Sequence, residues 1–302
     1  MSEKYLIFGG SGLIGSRFIE LVSEEKHAVP KEEELDITNT KSLEDFFNKH
    51  ADDFSTIINF AAYTNVDGAE KERGDETGIV WKINVIGAEN VAKVAQKHGK
   101  FLIHISTDFV FPGTDENPGP YTEDAELPKN METIGWYGWT KLMAEKKVKE
   151  VGGDFAIART TYPFRATPYE LKPDFARNIL QLFDEKKLYP MFSDQQLTPV
   201  FIDDLVIALE KIAELKKPGV YHVVTTDITS PFEFGNYLLE KTKGAKGVIK
   251  EGSMKEFLEA PGRTPRPRLG GLDSKKTQEI LGMKFKTWKQ AADGFIKQLK
   301  EG

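Results

Sequence analysis

The feature that most constrains the fold is a glycine loop between an apolar strand and an amphipathic helix, which reads Phe8-Gly9-Gly10-Ser11-Gly12-Leu13-Ile14-Gly15. Glycines 10, 12 and 15 fit the pattern Gly-x-Gly-x-x-Gly, and glycines 9, 12 and 15 fit a related pattern with two residues in each gap. Residues without a side chain let the backbone turn tightly and bring N–H groups at the positive end of a helix close to a pyrophosphate. The loop therefore predicts a dinucleotide site that includes Gly9, Gly12, Leu13, Ile14 and Gly15.

Short apolar runs alternate with helical patterns through the first half of the chain. Four runs predict strands at residues 4–8, 56–60, 101–106 and 155–159. The intervening segments carry apolar residues three and four positions apart, which predicts helices at 13–22, 43–50, 80–98 and 139–151. This alternation is typical of an α/β fold with a Rossmann-type, doubly wound parallel sheet.

The regular pattern ends after residue 159, where prolines are scattered through the sequence. We predict a dinucleotide-binding domain over residues 1–160. Residues 198–225 would rejoin it, because 220–224 forms a further strand-like run. That rejoining segment would contain a helix at 203–215. Residues 161–197 and 226–302 would form a smaller, irregular α/β lobe that binds the substrate, with helices at 175–184, 231–241 and 289–299.

Composition excludes several classes of function. Lys and Arg number 41 against 47 Asp and Glu, and the resulting net charge of −6 leads us to expect no nucleic-acid partner. The chain has no cysteine, so disulfides, thiolate nucleophiles and cysteine-based metal centres are excluded. The five histidines are not paired at ligand spacing, so we predict no metal, and His104 is expected to be a satisfied core residue. The first apolar run is too short for a signal peptide or a membrane span, which favours a cytoplasmic protein without a membrane partner.

A tyrosine and a lysine four residues apart, Tyr137 and Lys141, lie at the start of a predicted helix. This spacing places both side chains on one helical face, where an ammonium can favour the phenolate of a tyrosine whose ordinary pKa is ~10. Thr107 stands at the end of the predicted strand between this pair and the glycine loop. The combination predicts general acid catalysis next to a bound nicotinamide.

Together these segments resemble the extended short-chain dehydrogenase/reductase superfamily and, within it, the dTDP-4-dehydrorhamnose reductase family. The resemblance runs in order along nearly the whole chain. Its motifs include Leu35-Asp36-Ile37-Thr38, Ala61-Ala62-Tyr63-Thr64-Asn65-Val66-Asp67, Ser106-Thr107-Asp108-Phe109 and Tyr137-Gly138-Trp139-Thr140-Lys141.

The resemblance implies that the 4-keto group of a nucleotide-linked deoxysugar, most closely dTDP-4-dehydrorhamnose, is reduced with NADPH or NADH. Thr107 would bind the substrate carbonyl, Tyr137 would donate the proton, and Lys141 would hold the nicotinamide ribose and lower the pKa of Tyr137. On the cofactor side, the resemblance implies Asp36 and Ile37 beside the adenine, and Ala61, Ala62 and Tyr63 along the ribose and nicotinamide. On the substrate side, it implies Asp108, Tyr162 and Arg266.

Lys31 and Asp36 are two candidate residues on the cofactor side. Lys31 stands at the end of the second strand, where an acid is usual, and a cation there favours NADPH by meeting its 2′-phosphate. Asp36 fits either the cofactor or the N-cap of the next helix.

The loop 261–271 contains three arginines, Arg263, Arg266 and Arg268. They fit either a solvated basic loop or a clamp on a phosphorylated ligand.

Two other functions remain open. The first is a non-catalytic, nicotinamide-binding regulatory subunit, similar to the β subunit of methionine adenosyltransferase. The second is a nucleotide-sugar epimerase or dehydratase, although Asp108-Phe109 lacks the glutamate that a dehydratase typically adds beside the threonine. The resemblance also leaves a homodimer open. Because Arg17 stands where some relatives carry a metal-binding acid, we expect no metal-bridged form.

Overall fold

The computed structural model describes residues 4–301, and a six-stranded parallel sheet forms the centre of its N-terminal part. The strands are β1 (Tyr5–Phe8), β2 (His27–Ala28), β3 (Thr56–Asn59), β4 (Phe101–Thr107), β5 (Phe155–Thr160), β6 (Pro163–Phe164), β7 (Met191–Phe192), β8 (Val200–Phe201), β9 (Gly219–His222) and β10 (Glu251–Gly252). The central sheet has the order β2-β1-β3-β4-β5-β9.

The helices are α1 (Leu13–Leu21), α2 (Thr40–His50), α3 (Val66–Glu70), α4 (Ile79–Trp81), α5 (Ala88–Lys97), α6 (Trp136–Val151), α7 (Phe175–Asp184), α8 (Ile202–Leu215), α9 (Pro231–Lys243), α10 (Met254–Glu259), α11 (Lys275–Leu281) and α12 (Trp288–Glu301). The segment Lys82–Gly87 is π-helical, so the helix predicted at 80–98 is three consecutive segments with different hydrogen bonding. Within residues 4–301, no helix is both long enough and apolar enough to cross a bilayer.

The first strands of the sheet are buried along their whole length. Every residue of β1, β3 and β4 is buried, which is typical of parallel strands covered by helices on both faces. Leu6 and Leu102 in the sheet share one apolar core with Phe47 on α2 and Val91 on α5. The predicted Rossmann-type fold is confirmed, and the strand predicted at 220–224 is present as β9 at the sheet edge next to β5.

The topology defines where a ligand can reach the sheet. β1 pairs in parallel with β2 on one side and with β3 on the other. The direction of winding therefore changes between β1 and β3, and in such sheets ligands bind beyond the carboxyl ends of the strands at that switch point. The glycine loop follows β1, and Ala61 to Tyr63 lie just beyond β3.

The chain divides into two compact units. The first takes the chain as far as Val110 together with Pro128–Arg159 and Val206–Tyr221, and the second takes Phe111–Leu127, Thr160–Leu205 and the chain from His222 onward. The second unit contains two small parallel sheets, β6 with β8 and β7 with β10. Its core is rich in aromatic rings, with Phe164 in contact with Phe201, Phe234 and Phe295.

Candidate active site

The glycine loop has room for backbone only. Gly9 has a φ of +72°, and a Cβ there would lie 2.5 Å from the backbone nitrogen of Ala61. A Cβ on Gly15 would lie 2.3 Å from the carbonyl oxygen of Gly9. Gly12 is the N-cap of α1 and has no side chain to cap the helix, so amides at the start of α1 can meet an anion. These residues fit a pyrophosphate, and Leu13 and Ile14 form the first turn beside them.

The segment after β3 lies directly against this loop. The amide of Ala61 donates to the side-chain oxygen of buried Asn59 (3.1 Å), and Ala61, Ala62 and Tyr63 are all half-buried. The amide of Tyr63 donates to Oδ1 of Asn84 (2.7 Å). The structure therefore brings these three predicted cofactor residues and Gly9 to the same edge of the sheet.

Asp36 is not the N-cap of the following helix. Asn39 caps α2 by accepting from the amide of Ser42, whereas the two oxygens of Asp36 accept from the amide and the hydroxyl of Thr38 (2.8 Å each). Ile37 is buried, lies against Gly87, and accepts at its carbonyl from Nδ2 of Asn90 (3.0 Å). The N-cap interpretation of Asp36 is therefore wrong, because the turn after Asp36 delays the start of the helix.

Lys31 lies in an exposed turn shortly after β2. Its amide donates to the carboxylate of Glu34 (3.3 Å), and its carbonyl accepts from the amide of Leu35 (2.9 Å). The turn therefore fixes the backbone of Lys31 while its side chain remains exposed.

The predicted catalytic residues of the first unit come together at the end of β4. Thr107 is the last residue of β4, and Tyr137 is the second residue of α6; their side chains are hydrogen-bonded. The Thr107 hydroxyl also contacts Oδ1 of buried Asp108 (3.2 Å). Gly138 allows α6 to approach this strand end, because a Cβ there would lie 2.1 Å from the carbonyl oxygen of Phe109.

The tyrosine holds its proton through the neutral range. Burial raises the pKa of Tyr137, the charge of Asp108 raises it further, and the hydrogen bond with Thr107 opposes both. Lys141 is not the cause of any shift here, so the expectation that it lowers the pKa of Tyr137 is not met in this structure. A protonated phenol is the form that can donate to a reacting oxygen.

Lys141 instead binds the backbone of β4. Its side chain is 3% exposed, and Nζ donates to the carbonyl of Ile105 (2.7 Å). Burial lowers the pKa of Lys141 to about 8, with the charge of Glu145 opposing that effect. Spacing correctly predicted one helical face for Tyr137 and Lys141, but not that a carbonyl would hold the ammonium.

Two further side chains, Asn84 and Glu70, organise the start of α6 and were missed in the sequence. Asn84 of the π-helical segment donates to the carbonyl of Tyr63 (3.2 Å) and to the hydroxyl of Thr140 (3.0 Å), which in turn donates to the carbonyl of Tyr137 (2.9 Å). Glu70 accepts from the amide of Trp136 (2.8 Å) and so caps α6 from a distant part of the chain. Both lie on other helices, and no local pattern signals such contacts.

His104 lies inside β4 next to this site. Its Nδ1 contacts Nδ2 of Asn59 (3.4 Å), and its buried Nε2 has no hydrogen-bond partner among residues 4–301. Burial, together with the charge of Lys141, holds the pKa of His104 well below its usual range, so the ring is neutral. His104 is a core residue as predicted, but its hydrogen bonding is incomplete.

The remaining predicted substrate residues, Tyr162 and Arg266, belong to the second unit. Tyr162 has a positive φ of 43°, and its hydroxyl accepts from Nε2 of Gln195 (2.7 Å). Arg266 is half-buried in the loop that was predicted at 261–271. The neighbouring arginines are engaged within the same unit, because Arg268 pairs with Asp115 and Arg263 lies 4.2 Å above the ring centre of Phe257.

Comparison with known proteins gives consistent matches over the whole length. A family described as the RmlD substrate binding domain matches residues 3–301. The spore coat polysaccharide biosynthesis protein SpsK of Bacillus subtilis is 29% identical, covering 98% of this chain and 97% of that protein. The dTDP-4-dehydrorhamnose reductase of Escherichia coli K12 is 27% identical, covering 97% of each.

A solved structure is similar over the same length. It is the dTDP-4-dehydrorhamnose reductase of Bacillus anthracis in complex with NADP, with a TM-score of 0.84 and 28% identity, covering 99% of this chain and 100% of that one.

Proposed function

Because this chain belongs to the RmlD substrate binding domain family, we propose that it is an NAD(P)H-dependent oxidoreductase acting on the 4-keto group of a nucleotide-linked deoxysugar. Its proposed substrate is dTDP-4-dehydrorhamnose or a close relative. The observation that carries this proposal is the hydrogen-bonded pair Thr107–Tyr137, with Lys141 one helical turn further along α6. Hydroxyl, phenol and ammonium groups in this order can bind and protonate a carbonyl oxygen next to a nicotinamide.

The cofactor assignment rests on the shape of the loop and on a relative. The Bacillus anthracis reductase is described in complex with NADP, and the side-chain-free surface of Gly9, Gly12 and Gly15 fits a pyrophosphate. Ala61, Ala62 and Tyr63 would line the ribose and nicotinamide, and Asp36 with Ile37 would border the adenine. Lys31 favours NADPH over NADH, because its exposed ammonium can meet a 2′-phosphate.

The proton for this reaction comes from side chains of the protein itself. When bound, the reduced nicotinamide supplies a hydride to the carbonyl carbon of the sugar. Thr107 donates its hydroxyl hydrogen bond to the carbonyl oxygen, and Tyr137 transfers its phenolic proton to that oxygen, so that the ketone becomes an alcohol. Lys141 stays charged below its pKa of about 8, and its ammonium would hold the nicotinamide ribose when the cofactor is bound.

Substrate binding requires a cation for the diphosphate. The keto sugar is uncharged near the reacting carbon, so most binding energy must come from the remote nucleotide, and the chain carries a net charge of −6. Arg266 is the proposed clamp, since guanidinium groups bind phosphate bidentately. Asp108 and Tyr162 are proposed to contact the sugar itself.

The test is reduction of dTDP-4-dehydrorhamnose, followed by the loss of NADPH absorbance. Arg266→Ala should raise KM for the nucleotide sugar at least tenfold while the Kd for NADPH stays within about twofold. Lys246→Ala is the matched control, because it removes an exposed cation of the same unit that pairs with Glu240, and it should leave KM unchanged. A wild-type protein that binds NADPH tightly and reduces no nucleotide-linked keto sugar would instead support a regulatory nicotinamide-binding subunit.

A further inference from the structure

A buried carboxylate joins the helix that carries Tyr137 to two strands of the sheet. Glu145 lies one turn beyond Lys141 on α6, and its side chain is fully buried. Its Oε1 accepts from the Ser106 hydroxyl (2.7 Å) and from Nε of Arg159 (2.8 Å), and its Oε2 accepts from a terminal nitrogen of Arg159 (2.7 Å). Ser106 is on β4 and Arg159 is on β5, so one side chain holds three elements.

Glu145 and Lys141 both attach helix α6 to strand β4. Lys141 binds the carbonyl of Ile105, and Glu145 binds the hydroxyl of Ser106, the next residue. Two side chains one helical turn apart thus hold two consecutive strand residues. Thr107 follows directly in the strand and Tyr137 precedes by one turn in the helix, so this double attachment sets the register of the proton donor against the residue that binds the carbonyl.

The charges around Lys141 give Glu145 a second effect. Asp108 acts on the nearby phenol of Tyr137, His104 is neutral, and Lys149 contributes only a distant contact of 3.9 Å to Glu145. The charge of Glu145 is what raises the pKa of Lys141 against its burial. Although burial acts to raise the pKa of Glu145, the Arg159 guanidinium and the Ser106 hydroxyl lower it on balance, so Glu145 stays ionised at neutral pH.

Stability alone does not require this arrangement. Desolvating two charges costs free energy that their attraction only partly returns, and well-packed apolar residues often serve as well in such a place. A purely structural role would therefore be met by an apolar pair that gave Lys141 no negative neighbour.

We propose that Glu145 is a positioning residue for the reaction, which holds the Tyr137 helix in register on β4 through Ser106 and places a carboxylate one helical turn from Lys141. This inference rests on the proposed reductase function for its kinetic consequence. Its effect on Lys141 is independent of any substrate.

The experiment titrates Lys141 directly, in cofactor-free protein labelled with ¹³C at the lysine side chains. The Lys141 resonance is assigned by its absence from Lys141→Met. Glu145→Gln keeps an acceptor for Ser106 and removes the charge, and Glu150→Gln is the matched control, an exposed glutamate of the same helix that pairs with Lys147. Glu145→Gln should move the Lys141 titration down by about one pH unit or more, the size typical of a close opposite charge. Glu150→Gln should not move it.

A second variant covers the outcome in which Glu145→Gln does not fold because the Arg159 guanidinium has lost its buried carboxylate partner. The double variant Glu145→Gln/Arg159→Met removes both buried charges, and it should fold while showing the same downward shift of Lys141. In the pH profile of kcat, its loss of activity at high pH should begin correspondingly lower, with KM for the sugar within about twofold. Ser106→Ala keeps the charge and should lower kcat without moving the Lys141 titration.

If the double variant Glu145→Gln/Arg159→Met folds and Lys141 titrates in it as in wild type, the proposal is overturned. Glu145 would then be a structural residue only. The proposed function can fail separately. If wild type reduces no keto sugar but the Lys141 shift is seen, the effect of Glu145 on Lys141 stands and the reductase assignment falls.

Discussion

Gly138 is a position in the first unit where an added side chain would approach the backbone very closely. A Cβ at Gly138 would lie 2.1 Å from the carbonyl oxygen of Phe109, whereas ordinary contact begins at 3.4 Å, so the helix or the strand end must move by about 1.3 Å. The obstacle is backbone, which cannot turn aside as a flexible side chain would. The movement would separate Tyr137 from Thr107. Tyr137 directly precedes Gly138 in α6, and Thr107 lies two residues before Phe109.

The expected cost of Gly138→Ala follows from this displacement. Misplacing a catalytic group by ~1 Å costs roughly 10²-fold in rate, which corresponds to about 2.7 kcal/mol of activation free energy. Overpacking lowers the free energy of unfolding by ~1–3 kcal/mol, and the better helix propensity of alanine returns about 1 kcal/mol of it. We therefore expect kcat to fall about a hundredfold with a loss of stability of at most ~2 kcal/mol.

The assays are steady-state NADPH oxidation with the keto sugar and unfolding in urea. Gly294→Ala is the matched control, because it makes the same change inside helix α12, where the nearest atom to a Cβ is 3.6 Å away. The control should keep wild-type kcat and gain up to ~1 kcal/mol of stability. If Gly138→Ala matched Gly294→Ala in both assays, the close approach of α6 to Phe109 would not be what positions Tyr137.

Three further predictions concern the cofactor side and pH. Gly15→Ala should weaken NADPH binding at least tenfold by calorimetry, because its Cβ meets the backbone of Gly9. Gly10→Ala should weaken binding less, because its Cβ meets the movable side chains of Val29 and Ile19. Equal effects of the two substitutions would argue against the loop geometry. Lys31→Asp should shift the ratio of kcat/KM values for NADPH and NADH toward NADH, and an unchanged ratio would place Lys31 away from the ribose. Because Lys141 loses its charge as pH rises through about 8, activity should fall above that pH, and a profile that stays flat through it would contradict the role of Lys141.

Local sequence patterns predicted the bounds of some helices more closely than those of others. Helix α7 was predicted at 175–184, which are its observed bounds, and the structure shows that Asp174 caps it. The start of α6 was predicted at residue 139 and lies at Trp136. Gly135 is the N-cap, and the side chain that satisfies the amide of Trp136 comes from Glu70 on α3.

The parts of the site that sequence did not predict depend on partners far along the chain. Each of three side chains has one partner that is 39 or more positions away in the sequence: Glu145 binds Ser106, Asn84 binds Thr140, and Glu70 binds the amide of Trp136. The sequence shows which residue types can form such bonds, but not which of many acceptors each will find. For the same reason, spacing placed Lys141 beside Tyr137 but could not show that the carbonyl of Ile105 would take its ammonium.

The most direct test of the central claim is to follow label and proton donor in one reaction. NADPH carrying deuterium at its transferable position is incubated with dTDP-4-dehydrorhamnose, and the sugar product is analysed by mass spectrometry, for wild type and Tyr137→Phe. We expect one deuterium per molecule of product with wild type. We also expect the rate for Tyr137→Phe to be lower by ~10²–10⁴-fold, the usual size of general acid catalysis, at an unchanged Kd for NADPH. Unlabelled product, or a Tyr137→Phe rate within about twofold of wild type, would contradict the assignment of this chain as a reductase that uses Tyr137 as its acid.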